Sequence, residues 1–202
     1  MKIILVGPPA SGKGSQAELL AKKFKLKHIS AGALLRKEKK KNTERGRLIK
    51  ELIDNGKFAP NKITNELMKE AITENCILDG YPRNINQAKF LESYVKIDHV
   101  FLIKAGEEII YKRLSARRTC VKCGAVYNLI TKPSKLKGKC DECGGDFYIR
   151  EDDTKEGIKE RLRLYNQNTK PLIDYYKKKG ILREIDGEQL LDKVFNDIIS
   201  YL

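Results

Sequence analysis

The chain has 202 residues, 41% of them hydrophobic and 34% charged, with 41 Lys and Arg against 27 Asp and Glu for a formal net charge of +14. That length builds one domain with inserted subdomains around a full core. No apolar run approaches a membrane span, and the apolar start is too short for a secretory signal, so a cytoplasmic location without a membrane partner is expected. The charge favours polyanionic ligands without choosing between nucleotides and nucleic acid. The lysine runs at 39–41 and 177–179 read as solvated helix faces.

In chain order, the apolar strand at the start leads into Gly7-Pro8-Pro9-Ala10-Ser11-Gly12-Lys13, and an amphipathic helix follows from Lys13 to Phe24. This is the arrangement of strand, phosphate loop and helix: glycines admit backbone N–H groups to phosphate oxygens, the helix N-terminus adds partial positive charge, and Lys13 reaches the outer phosphates. Strand-like runs recur at Lys27 to Ile29, Cys76 to Leu78, His99 to Ile103 and Ile181 to Ile185. Helices are expected over Gly32 to Lys40, Thr43 to Asn55, Asn61 to Thr73, Asn84 to Tyr94, Glu107 to Arg117, Thr154 to Lys178 and Glu188 to Ser200. Alternation of this kind predicts an α/β fold, a doubly wound parallel five-stranded sheet with ligands at the carboxyl ends of its strands.

Two segments break the alternation. One is a helical excursion between Ser30 and Pro60. The other is an insert holding Cys120-x2-Cys123 and Cys140-x2-Cys143 with sixteen residues between the pairs. Such spacing reads as a small zinc ribbon, in which four thiolates close a tetrahedral Zn²⁺ site and metal binding supplies much of the folding free energy. The site is coordinatively closed, so its role is structural. Cys76 reads as a small core residue.

Taken together, residues 7–16, the segment Ile29-Ser30-Ala31-Gly32-Ala33-Leu34-Leu35-Arg36, Asp79-Gly80-Tyr81-Pro82-Arg83, Ala116-Arg117-Arg118 and Arg150-Glu151-Asp152-Asp153 with Arg161 resemble the adenylate kinases that carry a zinc-bearing lid. The resemblance spans essentially the whole chain. It implies a phosphate-loop core (1–29, 60–115 and 154–202), a helical insert binding a nucleoside monophosphate (30–59) and a mobile zinc-ribbon-like lid (116–153). It also implies reversible, Mg²⁺-dependent transfer of a phosphoryl group from ATP to AMP, giving two ADP, by a monomer with no nucleic-acid partner.

Phosphoryl transfer of this type needs cations, alignment and exclusion of water more than a strong base. By resemblance, Ala10, Ser11, Gly12, Lys13, Gly14 and Ser15 hold the donor phosphates, with Arg113, Arg117, Val126, Tyr127 and Gln189 around the rest of ATP. Ala31, Arg36, Lys57, Phe58, Ala59, Gly80, Tyr81, Pro82, Arg83 and Gln87 are assigned to AMP, joined by Arg150 and Arg161. Lys13, Arg36, Arg83, Arg117, Arg150 and Arg161 form the catalytic set, since a planar, permanently charged guanidinium grips phosphate in pairs of hydrogen bonds. Asp79 is placed to orient the hydration shell of Mg²⁺.

The chain departs from the family pattern at Ala10, usually Gly, at Ala31 and Ala33, usually Thr and Asp, and at Asn84. Ala10 is expected to leave that backbone position less open and to alter phosphate approach slightly, and Ala31 to remove one contact to the acceptor base. Ala31 and Asn84 also occur in the related uridylate and cytidylate kinases, which makes a UMP- or CMP-directed enzyme the first alternative. Gln87 and the long lid favour AMP. A second alternative, from another class, is a zinc-ribbon nucleic-acid-binding NTPase that stacks bases on Tyr127, Phe147 and Tyr148.

Overall fold

A computed structural model of the chain describes residues 1–136 and 138–202. Strands β1 (Lys2–Val6), β2 (Lys27–Ser30), β3 (Cys76–Asp79), β4 (His99–Lys104) and β8 (Leu182–Asp186) form one parallel sheet in the order β2-β3-β1-β4-β8. The central strand β1 has Ile3, Ile4, Leu5 and Val6 all buried, as a strand covered on both faces must. Its alternation divides the core. Ile4 and Val6 face a cluster with Met68, Leu78, Leu91 and Tyr176, on the side of α4 (Asn61–Ala71), α5 (Ile85–Glu92) and α8 (Lys170–Lys178). Ile3 and Leu5 face Leu20, Phe101, Val194 and Ile198, on the side of α1 (Lys13–Phe24) and α9 (Leu191–Ile199).

Two excursions rise from the carboxyl edge of this sheet. Helices α2 (Ala31–Glu38) and α3 (Glu44–Asp54) lie between β2 and α4 around Leu35, Ile49 and Ala59. Beyond α6 (Glu107–Ser115), strands β5 (Arg117–Cys120), β6 (Val126–Asn128) and β7 (Phe147–Tyr148) form a separate antiparallel sheet in the order β6-β5-β7. Its core is Cys120, Tyr127 and Cys140 with Phe147, too little apolar surface to hold a ribbon of this size by itself.

Three differences in helix extent bear on the cleft. The sixth helix stops at Ser115, so Arg117 begins a strand of the antiparallel sheet, where it pairs with Asn128. The last starts at Leu191, leaving 187–190 as a loop at the cleft. The segment expected as one helix over Thr154 to Lys178 is α7 (Lys155–Leu164), a π-helical stretch over Tyr165–Thr169, and α8. A π-helical turn inside a helix inserts residues that no longer stack on the regular face. Here it turns Thr169 inward, and its hydroxyl donates to the Arg83 carbonyl at 2.9 Å.

Candidate active site

The loop after β1 is seated by contact. A Cβ on Gly7, whose φ is +149°, would run into the Ile103 carbonyl, and one on Gly187 would meet the Lys104 and Ser11 carbonyls. Ala10 takes the left-handed conformation open to glycine, φ +55°, at a cost of about 1–2 kcal/mol for a residue with a Cβ. Its methyl packs on the Ile110, Leu114, Ile158 and Leu162 cluster, and its carbonyl accepts from Arg113 Nη1 at 3.3 Å.

Helices α2, α3, α5 and α7 begin with a capping side chain, respectively Ser30, Thr43, Asn84 and Thr154. Helix α1 begins at Gly12 with no side-chain cap and no acid in its first turn. Its first residues line the cleft, and no side chain among the described residues caps their N–H groups, the state that favours a bound anion. Lys13 folds back over the same loop, donating from Nζ to Gly7 O (2.9 Å), Pro8 O (2.6 Å) and Ser11 Oγ (3.3 Å).

A cleft of about 940 Å³ opens above the sheet. Lined by the phosphate loop, it brings together Lys13, Arg36, Arg83, Arg113, Arg117, Arg150 and Arg161 from six separate stretches of chain. Lys57, Phe58, Asp79, Gly80, Pro82, Val126, Tyr127 and Gln189 reach the same space. Ala31, Ala59 and Gln87 lie instead on a small adjoining recess that shares Phe58 and Arg83 with the cleft. Tyr81 lines neither. It is fully buried in the core, its hydroxyl donating to Asn65 Oδ1 at 2.8 Å.

The cations crowd each other. Burial, with Arg83, Arg161 and Arg117 nearby, drops Lys13 to about 8 despite the opposing pull of Asp79. Burial also pushes Arg83 down to about 10, with Arg161 adding to the effect, and Arg150 down to about 9, with Arg117 and Arg36 adding. Asp79 shows the complementary behaviour. Burial alone would raise its carboxyl, but His28, whose Nε2 lies 3.6 Å away, and the cations Lys13 and Arg83 hold it below the usual carboxylate range.

The groups that aim these cations are Asp152 and Asp153 of the Arg150-Glu151-Asp152-Asp153 motif and Thr119, which carried no signal in the sequence. Asp153, its side chain fully buried, accepts from Arg117 Nε at 2.6 Å and from Arg161 Nη1 at 3.0 Å, while Asp152 pairs with Arg161 at 2.9 Å. Thr119 Oγ1 accepts from Arg150 Nε at 2.9 Å. Arg83 donates from Nε to Gly80 O at 2.9 Å and lies over the Phe58 ring, 4.9 Å from its centroid. Asn84 caps α5 by accepting from Gln87 N at 2.9 Å. Its spacing to Gln87 is that of a capping box, the one signal by which its role was readable. Gln16 Nε2 donates to Leu191 O at 2.9 Å and ties α1 to the loop bearing Gln189.

In the ribbon, the sulfurs of Cys120, Cys123, Cys140 and Cys143 all lie within 4.8 Å of one another, and none is in a disulfide. Cys120 to Cys143 and Cys123 to Cys140 are each 3.5 Å. A tetrahedron with Zn–S bonds of about 2.3 Å has sulfur separations near 3.8 Å, so this thiolate set fits Zn²⁺. The Tyr127 hydroxyl lies 3.5 Å from Cys140 Sγ and accepts from Asp141 N at 2.9 Å. Its ring packs on Phe147, with centroids 4.9 Å apart.

The adenylate kinase family model matches residues 5–181. The chain belongs to the adenylate kinase family. It is 43% identical over 212 residues to an adenylate kinase of Archaeoglobus fulgidus, an alignment covering 100% of this chain and 98% of that one. Identity is also 43% to adenylate kinases of Methanothrix thermoacetophila, with the same coverage, and of Caldanaerobacter subterraneus, covering 98% and 94%. As a member of this adenylate kinase family the chain is a nucleoside monophosphate kinase, and the converging cations are the part of its structure suited to handling phosphate chains.

Lys13 supplies a pH signature. A phosphate chain bound beside it would raise its depressed pKa, so nucleotide binding is expected to take up about half a proton near pH 8 and almost none at pH 6.5, where Lys13 is already charged. Calorimetry in buffers of different ionisation enthalpy reads this directly. Equal proton uptake at both pH values contradicts the assignment.

Proposed function

We propose that the protein transfers the γ-phosphoryl group of Mg²⁺-bound ATP to AMP, reversibly, giving two ADP. The observation that carries this reading is the convergence of Lys13, Arg36, Arg83, Arg117, Arg150 and Arg161 on one cleft above an uncapped helix N-terminus. Two phosphate chains meeting end to end bring more negative charge than one nucleotide, and a cation set of this size neutralises both. The donor occupies the phosphate loop under the ribbon, near Arg113 and Gln189. The acceptor lies beside Arg36, Arg83 and the recess of Ala31 and Gln87.

Magnesium supplies charge neutralisation on the donor phosphates when bound. Asp79, kept ionised by His28, Lys13 and Arg83, is the carboxylate available to hold its hydration shell. Lys13 and the α1 amides position the donor phosphates, and Arg36 and Arg83 hold the acceptor phosphate. Arg117, Arg150 and Arg161, aimed by Asp153 and Thr119, come from the ribbon side. Residues 30–59 and 116–153 act as two flaps that exclude water. Their contacts with the opposite walls support this: Lys39, just past α2, pairs with Glu151 beyond β7 at 3.2 Å, and Lys132 of the ribbon meets Glu18 of α1 at 2.8 Å.

AMP is favoured over a pyrimidine acceptor because Asn84, the residue shared with the pyrimidine-directed relatives, has its amide engaged. Its Oδ1 caps α5 and its Nδ2 donates to Asn61 Oδ1 at 2.9 Å. The nucleic-acid reading loses support because Tyr127 is buried against Phe147 inside the ribbon and Tyr148 lines the nucleotide cleft. Zinc in the four-thiolate site holds the ribbon together and takes no part in chemistry.

Two measurements test these assignments. Initial rates with Mg²⁺, ATP and each of AMP, CMP and UMP should give the largest kcat/KM with AMP; a larger value for a pyrimidine overturns the acceptor assignment. Cys123→Ser should release zinc, read by atomic absorption, and lower Tm by about 5 °C or more. Unchanged metal content and unchanged melting would contradict the structural site.

A further inference from the structure

Resting on the reading of the recess beside Arg83 as the acceptor-base subsite, we infer that Thr64 selects the acceptor by its exocyclic amine. Ala31, Thr64 and Gln87 are each at least 95% buried, and all three line that recess with Leu35, Phe58 and Arg83. Ala31 brings no polar atom to it. Thr64, a residue of α4, lines it too, and its hydroxyl proton is committed: Oγ1 donates to Pro60 O at 3.1 Å. What that hydroxyl has left to offer a ligand is therefore lone pairs.

The second polar group is fixed as firmly. Gln87 Oε1 accepts from the Arg83 backbone N–H at 2.8 Å, and a backbone N–H can only donate, so this bond determines which end of the amide is oxygen. Gln87 Nε2 donates to Asn61 Oδ1 at 2.9 Å, and Asn61 Oδ1 also receives Asn84 Nδ2. One donor hydrogen and one lone pair of Gln87 stay unspent. The recess thus presents a preset pattern, a hydroxyl acceptor from Thr64 and an oriented amide from Gln87.

Adenine and cytosine carry an amine where hypoxanthine and uracil carry a carbonyl. An amine facing Thr64 Oγ1 makes a hydrogen bond. A carbonyl there sets two acceptors against each other unless the hydroxyl rotates and gives up Pro60 O. Removing the hydroxyl leaves Pro60 O satisfied, since Thr64 N also donates to it at 3.0 Å, so Thr64→Val changes the recess while the helix start is kept. The hydroxyl missing at residue 31 is supplied from α4.

The test is the ratio of kcat/KM between bases that differ only in this group, measured for AMP against IMP and for CMP against UMP. In Thr64→Val the amine-to-carbonyl ratio should fall about 3- to 10-fold, the equivalent of one neutral hydrogen bond, and Thr64→Ser should restore it. Structural damage lowers both members of a pair alike and leaves the ratio in place. Should the unaltered enzyme prefer pyrimidines, the AMP assignment fails while the CMP to UMP ratio still tests Thr64. If Thr64→Val does not fold, Thr64→Ala reads the same ratio. An amine-to-carbonyl ratio unchanged on loss of the hydroxyl, in the pair the enzyme uses, overturns the inference.

Discussion

Repulsion among like charges in a partly buried cleft is the constraint on which the structure turns. Ten lysines and arginines among the described residues line one space, and burial with mutual proximity depresses Lys13, Arg83 and Arg150 together. Each is costly to desolvate without a counter-charge. The protein offsets part of that cost with Asp79, Asp152 and Asp153, which also fix the direction of the guanidinium groups. A polyanion bound among these cations would offset the remainder, which makes the filled site the more relaxed state.

The fold meets this constraint by drawing the cations from separate elements. The parallel sheet ends its strands at one edge, which sets the phosphate loop after β1 beside Asp79 at the end of β3 and beside the 187–190 loop after β8. Arg36 arrives on α2, Arg113 on α6, Arg117 on β5, and Arg161 on α7. A site assembled from one rigid element would carry its full repulsion at all times. Cations divided among a core and two excursions can separate when the site empties, which connects the electrostatics to the flap motion proposed above.

Much of this was legible in the sequence because strong local rules govern it. Short apolar runs gave all five parallel strands, the loop motif gave the turn from β1 into α1, and paired cysteines at ribbon spacing gave the four-sulfur cluster. The misread parts obey no local period. Tyr165-Asn166-Gln167-Asn168-Thr169 fits a regular helix by composition, and only its tertiary role, carrying Thr169 to the Arg83 carbonyl, explains the π-helical stretch. Arg117 leaves the expected helix for a ribbon strand because it pairs with Asn128, a contact distant in sequence. Asp153 and Thr119 act on cations far along the chain, and Tyr81 sits among motif residues yet packs in the core. Ala10 shows the converse: a residue that breaks the local rule is held in the glycine conformation by the loop around it.

Arg36 offers the most direct test of the central claim. Its guanidinium is pushed below its ordinary range by burial first and then by Arg117, and it has no carboxylate within ion-pair distance among the described residues. Replacing it by the uncharged, similarly long Met removes repulsion from the empty site and one grip on the acceptor phosphate from the filled one. Thermal unfolding of Arg36→Met without ligand, paired with its kcat/KM for the acceptor, is the decisive measurement. The account predicts a Tm equal to or above that of the unaltered protein together with a loss of about 100-fold or more in kcat/KM. A lower Tm with near-normal kcat/KM would contradict it.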